Sequence, residues 1–375
     1  MRVLHLHSGF NAGGKELRAA RLMNAFGKAL RHSIVSAQPA AYGASVAVDP
    51  TLAVDYPQDF PTLQGRPTPV RLLSIARAMR GFDLILTYNW GAMDGVLAHR
   101  LFGRALGLAP LVHHEDGFNE DEADGLKRSR NLFRSLALAR ASALVVPSRR
   151  LEGIARGAWH QPARRVRLIT NGIALGAYAD IPPADALPGL VKQPGDKWLG
   201  TLAGLRAVKN LPRLVRAFAA MPADWHLVIV GEGPERAAIE AQARASGVAD
   251  RVHLPGFAPD PSRVVGLFDM FALSSDSEQF PISVVEAMAA GLPVAAPAVG
   301  DVAGMVSSPN ARFITASGDE AALAASLAEL AGDAALRSSI GEANRDRALR
   351  DYDERAMIAA YADTYGAAMG RRQFP

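Results

Sequence analysis

No cysteine occurs among the 375 residues, which excludes disulfide staples and thiolate metal sites. No apolar run reaches the ~18 residues needed to cross a bilayer. The opening Met1-Arg2-Val3-Leu4-His5-Leu6-His7 is too short and too polar for an export signal, so it reads as a first strand and the cytoplasm is the expected compartment. Nucleic acid is not an expected partner, because no recognition module and no interleaving of basic with aromatic residues is found. A metal is not expected either. Asp351-Tyr352-Asp353 has the letters of a D-x-D pair, but at the start of a helix acidic residues serve capping. Ser8-Gly9-Phe10-Asn11-Ala12-Gly13-Gly14 lacks the G-x-G-x-x-G spacing of a dinucleotide fold, which argues against an oxidoreductase.

What is present is enough for two domains. The length exceeds what one hydrophobic core serves, and 49% of the residues are apolar. Charge is uneven: residues 1–180 carry +9 and residues 181–375 carry −5, within a total of +4. A basic first half fits a domain that faces an anionic partner, such as a membrane surface or a lipid pyrophosphate. Scattered surface charge is the other reading.

Short β-branched runs alternate with helical patterns. Val3–His7, Ser33–Ala37, Asp83–Tyr88, Leu111–His113, Ala143–Pro147 and Val166–Ile169 read as strands of a first parallel sheet. Residues 181–197 contain four prolines and two glycines and read as an interdomain linker. The pattern restarts with strands at Trp198–Leu202, His226–Val230, Val252–Leu254, Met270–Leu273 and Val294–Ala296. The fold class expected is therefore α/β, with two doubly wound, Rossmann-like domains.

The stretch Ser277-Glu278-Gln279-Phe280-Pro281-Ile282-Ser283-Val284-Val285-Glu286-Ala287-Met288-Ala289-Ala290-Gly291-Leu292-Pro293-Val294 carries the chemistry. It sets a loop carboxylate, Glu278, eight positions before a helix carboxylate, Glu286. Carboxylates accept hydrogen bonds from sugar hydroxyls, and a helix N-terminus offers N–H groups to an anion. The spacing resembles the E-x7-E signature of retaining glycosyltransferases of family four, which have the GT-B fold. The resemblance runs over most of the chain, through Gly13-Gly14-Lys15-Glu16, Asn171-Gly172-Ile173, Lys209-Asn210-Leu211, Gly231-Glu232-Gly233-Pro234 and Leu254-Pro255-Gly256-Phe257.

The resemblance implies two domains facing a cleft, 1–178 and 179–354, with a C-terminal helix (355–375) crossing back to the first. It implies transfer of a sugar from a nucleotide-diphosphate sugar to a hydroxyl of a glycan or lipid-pyrophosphate-linked acceptor, in bacterial polysaccharide or glycolipid assembly. Such an enzyme works without a metal, at the inner face of the plasma membrane. By resemblance Glu286 holds the ribose, Glu278 lies beside the donor sugar and diphosphate, and the amides near Phe280 and Ile282 meet the sugar. Pro281 stands where the family has glycine and offers no N–H.

Lys209 resembles the diphosphate lysine. Arg206 precedes it by three residues instead of five, so two readings stand: it reaches the same phosphates, or it does not. Gly13 and Gly14, and Gly231 and Gly233, match loops near the donor, and each pair also fits an ordinary tight turn. His113-His114-Glu115-Asp116-Gly117 is similar to a His-x-Glu-His-Gly segment, with His113 and Asp116 positioning substrates and Glu115 near the acceptor. Lys127, Arg128, Arg130 and Arg134 form a basic strip at helical spacing, for an acceptor phosphate, a membrane, or solvent alone. The alternatives that remain are another GT-B reaction (sugar-nucleotide epimerase or phosphorylase) or a sugar-binding protein without catalysis.

Overall fold

Each half is built on one all-parallel sheet, and its strands are near-continuous apolar runs because helices cover both faces. The computed structural model describes residues 1–118 and 126–375. They divide into two units, Met1–Thr170 with Met357–Pro375, and Asn171–Ala356.

In chain order the first unit contains β1 (Arg2–His7), α1 (Gly14–Phe26), β2 (Arg31–Ser36), β3 (Ala53–Asp55), α2 (Pro69–Ala78), β4 (Leu84–Tyr88), α3 (Met93–Leu106), β5 (Leu111–His114), α4 (Arg128–Leu138), β6 (Ala143–Val146), α5 (Arg149–Gly157) and β7 (Val166–Leu168). Local signals set the helix starts. Thr68 accepts from the Arg71 N–H ahead of Pro69, and Ser148 accepts from Leu151 N–H at 3.1 Å. The sheet order is β3-β2-β1-β4-β5-β6-β7.

The second unit contains β8 (Lys197–Leu202), α6 (Leu211–Ala219), β9 (Trp225–Val230), α7 (Arg236–Ala245), β10 (Val252–Gly256), β11 (Met270–Ala272), α8 (Ile282–Ala289), β12 (Val294–Pro297), α9 (Val302–Met305), β13 (Ile314–Thr315), α10 (Glu320–Gly332) and α11 (Ala334–Asp351). Its order, β10-β9-β8-β11-β12-β13, repeats the winding of the first sheet. Strand order reverses between β1 and β4 and again between β8 and β11. In open α/β sheets, ligands bind outside the carboxyl ends of the strands at such points.

The last helix, α12 (Glu354–Ala368), joins the first unit from Met357 onward. Met357, Tyr361 and Tyr365 are buried in one core with Val3, Ile34, Tyr88 and Val112, and Tyr365 Oη lies 2.9 Å from His114 Nε2. The returning C-terminal helix is thus present. Residues 181–197 are not a free linker. Leu187 is 2% exposed within the second core, and Lys192 Nζ donates to both Asp269 Oδ2 and the Leu267 carbonyl at 2.7 Å. Proline and glycine there shape a segment packed on the second unit, and the division falls at Thr170/Asn171 instead of 178/179. No helix among the described residues is long and apolar enough to cross a membrane.

Candidate active site

In the second unit, the loop after β8 lies directly on the turn after β9. A Cβ on Gly231 would stand 1.9 Å from the Ala203 carbonyl oxygen, and one on Gly233 would stand 2.4 Å from that of Leu205. Both glycines have positive φ, +151° and +155°. Leu205 N–H donates to the Glu232 carbonyl at 2.9 Å, and Glu235 N–H donates to the Leu205 carbonyl at 3.0 Å. Backbone-to-backbone packing therefore accounts for the pair expected at the donor.

That packing aims the end of the loop. Asn210 takes a left-handed conformation (φ 43°, ψ 48°), which asparagine tolerates better than most residues, and starts α6. Its neighbours are tied to the segment after β11: Asp276 N–H to the Val208 carbonyl and Ser274 Oγ to the Lys209 carbonyl, both 2.9 Å. Arg213 adds an ion pair to Asp276 at 2.7 Å. So held, the Lys209 ammonium is ion-paired with Glu278, and Ser275 Oγ donates to the same carboxylate at 2.8 Å. Arg206 is exposed on the loop and has no acidic partner within 4.0 Å among the described residues, so it stands outside this pair.

Glu286 is half-buried on α8, where Tyr178 Oη donates to it at 3.2 Å. Pro281 begins the helix with no side-chain cap, and Ile282 is its first residue. Phe280 points into the core, edge-on to Tyr352 at 5.7 Å. Gly300, with φ +57°, lies against the Glu278–Gln279 backbone, and Asp301 N–H donates to the Gln279 carbonyl at 3.1 Å.

In the first unit, strand alternation splits the His113–Asp116 run between two faces. On one face His113 is fully buried, with Nδ1 2.8 Å from Thr87 Oγ1, and Glu115 is fully buried with Arg134 Nε at 3.2 Å. Arg134 sits among Trp90, Phe118 and Trp159, 4.9, 5.3 and 5.0 Å from their ring centres. On the other face Arg18 grips Asp116 with two parallel bonds of 2.5 and 2.8 Å. Burial alone would raise the Asp116 carboxyl, yet the Arg18 guanidinium holds it below the ordinary carboxylate range. His114 stacks on Tyr88 at 4.5 Å, and burial followed by the charge of Arg18 lowers it to about 3. Asn89 secures the turn: its N–H donates to the His114 carbonyl, and its Oδ1 accepts from Asp116 N–H, each 2.8 Å. It does so at φ 56°, ψ −174°, a conformation that costs a non-glycine residue about 1–3 kcal/mol and collects at functional sites.

Several expectations are corrected by these positions. His113 and Glu115 are core residues, facing Thr87 and Arg134; His114 is buried too, on the opposite face against Tyr88 and Tyr365, and Asp116 is the least buried of the four. The basic strip does not exist as one surface. Arg134 is interior and Arg130 lies over Trp90 at 4.8 Å, while Lys127 and Arg128 are exposed. Gly13 precedes Gly14, the first residue of α1, in extended conformation, and a Cβ on it would meet Glu16 Oε2 at 2.8 Å. Glu16, ion-paired with Lys15 and pushed up by burial, thus lies close to the helix start at Gly13.

A family profile described as Glycosyl transferases group 1 matches residues 187–347, and one described as Glycosyl transferase 4-like domain matches residues 13–172. The chain belongs to the family-four glycosyltransferases. Among relatives of this glycosyltransferase, a 2-deoxystreptamine glucosyltransferase of Streptomyces kanamyceticus is 31% identical over 138 residues, 36% of either chain. The matched part thus spans little more than a third of that relative. EpsF of Bacillus subtilis, a protein named as a glycosyltransferase, is 27% identical over 313 residues, 78% of either chain. Two solved structures share its GT-B fold. Anabaena HepE in complex with UDP has a TM-score of 0.78 at 20% identity, over 97% of this chain and 99% of that one. Sucrose-phosphate synthase of Thermosynechococcus elongatus has a TM-score of 0.75 at 22% identity, over 97% and 98%.

Within this glycosyltransferase, the structure brings together Lys209 and Glu278, and places Glu286 one helical segment further on. Residues unnoticed in the sequence complete the arrangement within each unit: Ser275 and Tyr178 in the second, and Arg18 and Asn89 around Asp116 in the first. Ser275, three residues before Glu278, was legible as a loop hydroxyl, whereas Tyr178 meets Glu286 across 108 positions and leaves no local signal. Among the described residues no three His, Asp or Glu side chains converge as metal ligands.

Proposed function

We propose that this protein transfers a sugar, with retention of anomeric configuration, from a nucleotide-diphosphate sugar to a hydroxyl of a glycan or lipid-linked glycan acceptor. The observation that carries this reading is the Lys209–Glu278–Ser275 cluster at the strand-order reversal of the second sheet, followed by Glu286 on α8. Glu286, held by Tyr178, accepts hydrogen bonds from the ribose hydroxyls. Lys209 and the uncapped start of α8 stabilise the diphosphate as the bond to the anomeric carbon breaks, which is commonly the largest electrostatic contribution. A departing phosphate oxygen takes the proton of the acceptor hydroxyl as the new glycosidic bond forms on the same face. Cationic and helix N-terminal stabilisation does here what a divalent ion does elsewhere, so no metal is required. The binding of UDP by HepE, named above, supports a uridine donor as the first to try.

An acceptor on a membrane is supported by one surface of the first unit. On α4, Arg128, Leu132 and Leu136 follow at four-residue spacing, with Arg140 beyond, and Leu132 and Leu136 are 62% and 48% exposed. Leu101, 54% exposed on the adjoining α3, extends the apolar strip, and Arg100 bonds to the Leu136 carbonyl. Exposed leucines edged by arginines suit an anionic lipid surface. Leu132→Glu with Leu136→Glu should abolish co-sedimentation with phosphatidylglycerol vesicles, and binding unchanged by both would remove the membrane from this reading.

The transfer itself is tested by turnover across UDP-, GDP- and ADP-sugars, with proton NMR of the first product. A product of unchanged anomeric configuration, formed equally in EDTA, is expected. An inverted product would overturn retention, and activity lost to EDTA but restored by magnesium would overturn metal independence. No turnover with any donor and a hydroxyl acceptor panel would overturn the transferase reading.

A further inference from the structure

Of the nine histidines in the chain, His5, His7, His32, His113 and His114 are buried in the first unit, His99 lies against the Ala109 carbonyl at 2.9 Å, and His160 is exposed beyond α5. The remaining two meet in the second unit. Nδ1 of His226, on β9, lies 3.0 Å from Nε2 of His253, on β10. Strand register brings them together. His253 pairs with Val228, so its side chain shares a face with those of Val228 and His226, while Trp225 and Leu227 fill the core on the opposite face. The two rings are half-buried, and their planes are 27° apart. β10 is the edge strand of its sheet. Both histidines stand second in their strands, at the amino end, whereas Lys209 and Glu278 follow carboxyl ends.

A neutral imidazole pair at this distance shares one proton between two ring nitrogens. Both nitrogens become metal ligands once that proton moves to the far nitrogen of its own ring, and no proton is released. With metal–nitrogen bonds of about 2.0–2.1 Å, nitrogens 3.0 Å apart subtend about 95° at the ion. A tetrahedral angle would need them roughly 3.3–3.4 Å apart. The pair therefore fits adjacent corners of a tetragonal or octahedral centre, the geometry of nickel(II) and copper(II). Charge agrees with this. Burial first, and His226 second, disfavour a proton on His253, while Asp196 and Asp250 lend negative charge around it. We propose that His226 and His253 form a two-histidine clip for a divalent late transition metal, nickel(II) or copper(II), with water in the remaining positions. The bound ion ties the edge strand β10 to β9. The clip lies at the opposite end of the sheet from Lys209 and Glu278, so it takes no part in sugar transfer and stands independently of that reading.

Calorimetry of the EDTA-washed protein with NiCl2, and electron paramagnetic resonance with one equivalent of CuCl2, test the clip. One saturable site is expected, with a copper spectrum split by two imidazole nitrogens. At a metal concentration about ten times the dissociation constant, the melting temperature should rise by about 3–6 °C. His226→Gln and His253→Gln each leave an amide able to bond to the other ring. Each should weaken nickel binding about tenfold or more and remove one nitrogen from the copper spectrum. His160→Gln should change neither. Binding that is absent from the unaltered protein, survives both substitutions at the pair, or is lost with His160→Gln would overturn the proposal. A copper spectrum of the unaltered protein with fewer than two coupled nitrogens would overturn it without recourse to any variant.

Discussion

Gly300→Ala tests whether backbone packing, more than any side chain, fixes the Glu278 segment. At φ +57° an L-residue costs about 1–2 kcal/mol, and the new Cβ would fall 2.6 Å from both the Glu278 and Gln279 carbonyl oxygens and 2.8 Å from the Glu278 carbonyl carbon. Those contacts are with backbone, which cannot rotate aside, so overpacking adds about 1–3 kcal/mol. Together they destabilise the second unit by about 2–5 kcal/mol, a fall of roughly 5–15 °C in melting temperature for a domain of this size. Relief of the contact moves Glu278 relative to Lys209, and a displacement near 1 Å at such a position lowers turnover by roughly ten- to a hundredfold. Gly304→Ala, four residues on in α9, is the internal control, because a Cβ there meets no atom within 4 Å. Differential scanning calorimetry and donor turnover would be measured on both variants. A Gly300→Ala protein that melts within about 2 °C of Gly304→Ala and turns over normally would refute the reasoning.

Glu286→Ala should weaken nucleotide-sugar binding about ten- to a hundredfold by calorimetry, since a hydrogen bond to a charged group is worth roughly 1.5–3 kcal/mol. Tyr178→Phe should cost less, about two- to tenfold, because only the group that orients the carboxylate is lost. Lys209→Ala should lower kcat more than it raises KM for the donor, since diphosphate charge is greatest in the transition state; a loss confined to KM would make it a ground-state anchor. Acid should unfold the first unit. His114 and His32 are held down by burial to about 3 and about 4, and His5 and His7 are lowered by burial too. Each contributes stability that is complete above the unfolded value of ~6.5 and is lost as pH falls toward the folded value, at up to ~1.4 kcal/mol per pH unit. Urea midpoints from pH 7 to pH 4 should therefore drop steeply, and less steeply for His114→Gln; a flat profile would contradict the buried, neutral imidazoles.

The two windings, their strands and the carboxylate pair were legible because each is written locally, in apolar runs of four to six residues and in one eight-residue spacing. Contacts between distant positions were not. The strand ending at His114 was read, but which of its four polar residues faced inward depended on Arg134, Trp90 and Trp159 closing over Glu115. For the glycines after β9 a donor loop and a tight turn both stayed open, because a sequence does not reveal that Ala203 and Leu205 lie upon them. Residues 181–197 had the composition of a linker, yet Leu187 and Lys192 bind them to the second unit, through partners that only tertiary structure supplies. Two short strands, Ala53–Asp55 and Ile314–Thr315, sit at sheet edges and are too brief for periodicity to mark.

Because the first unit is completed by Met357–Pro375, it is made in two instalments. Between them the ribosome must add roughly 190 residues, which at ~5–20 residues per second takes about 10–40 s. Throughout that interval Tyr361 and Tyr365 are missing from their places over Arg18, Tyr88 and His114, so one face of the first sheet stays wet, whereas by its end the second unit has all its strands. The nascent chain is thus expected to carry a finished C-terminal half beside an unfinished N-terminal one, the reverse of ordinary vectorial folding. Limited trypsin digestion of stalled chains ending near Ala356 should cut first in the earlier half, and chains that resist there as well as the released protein would exclude this order.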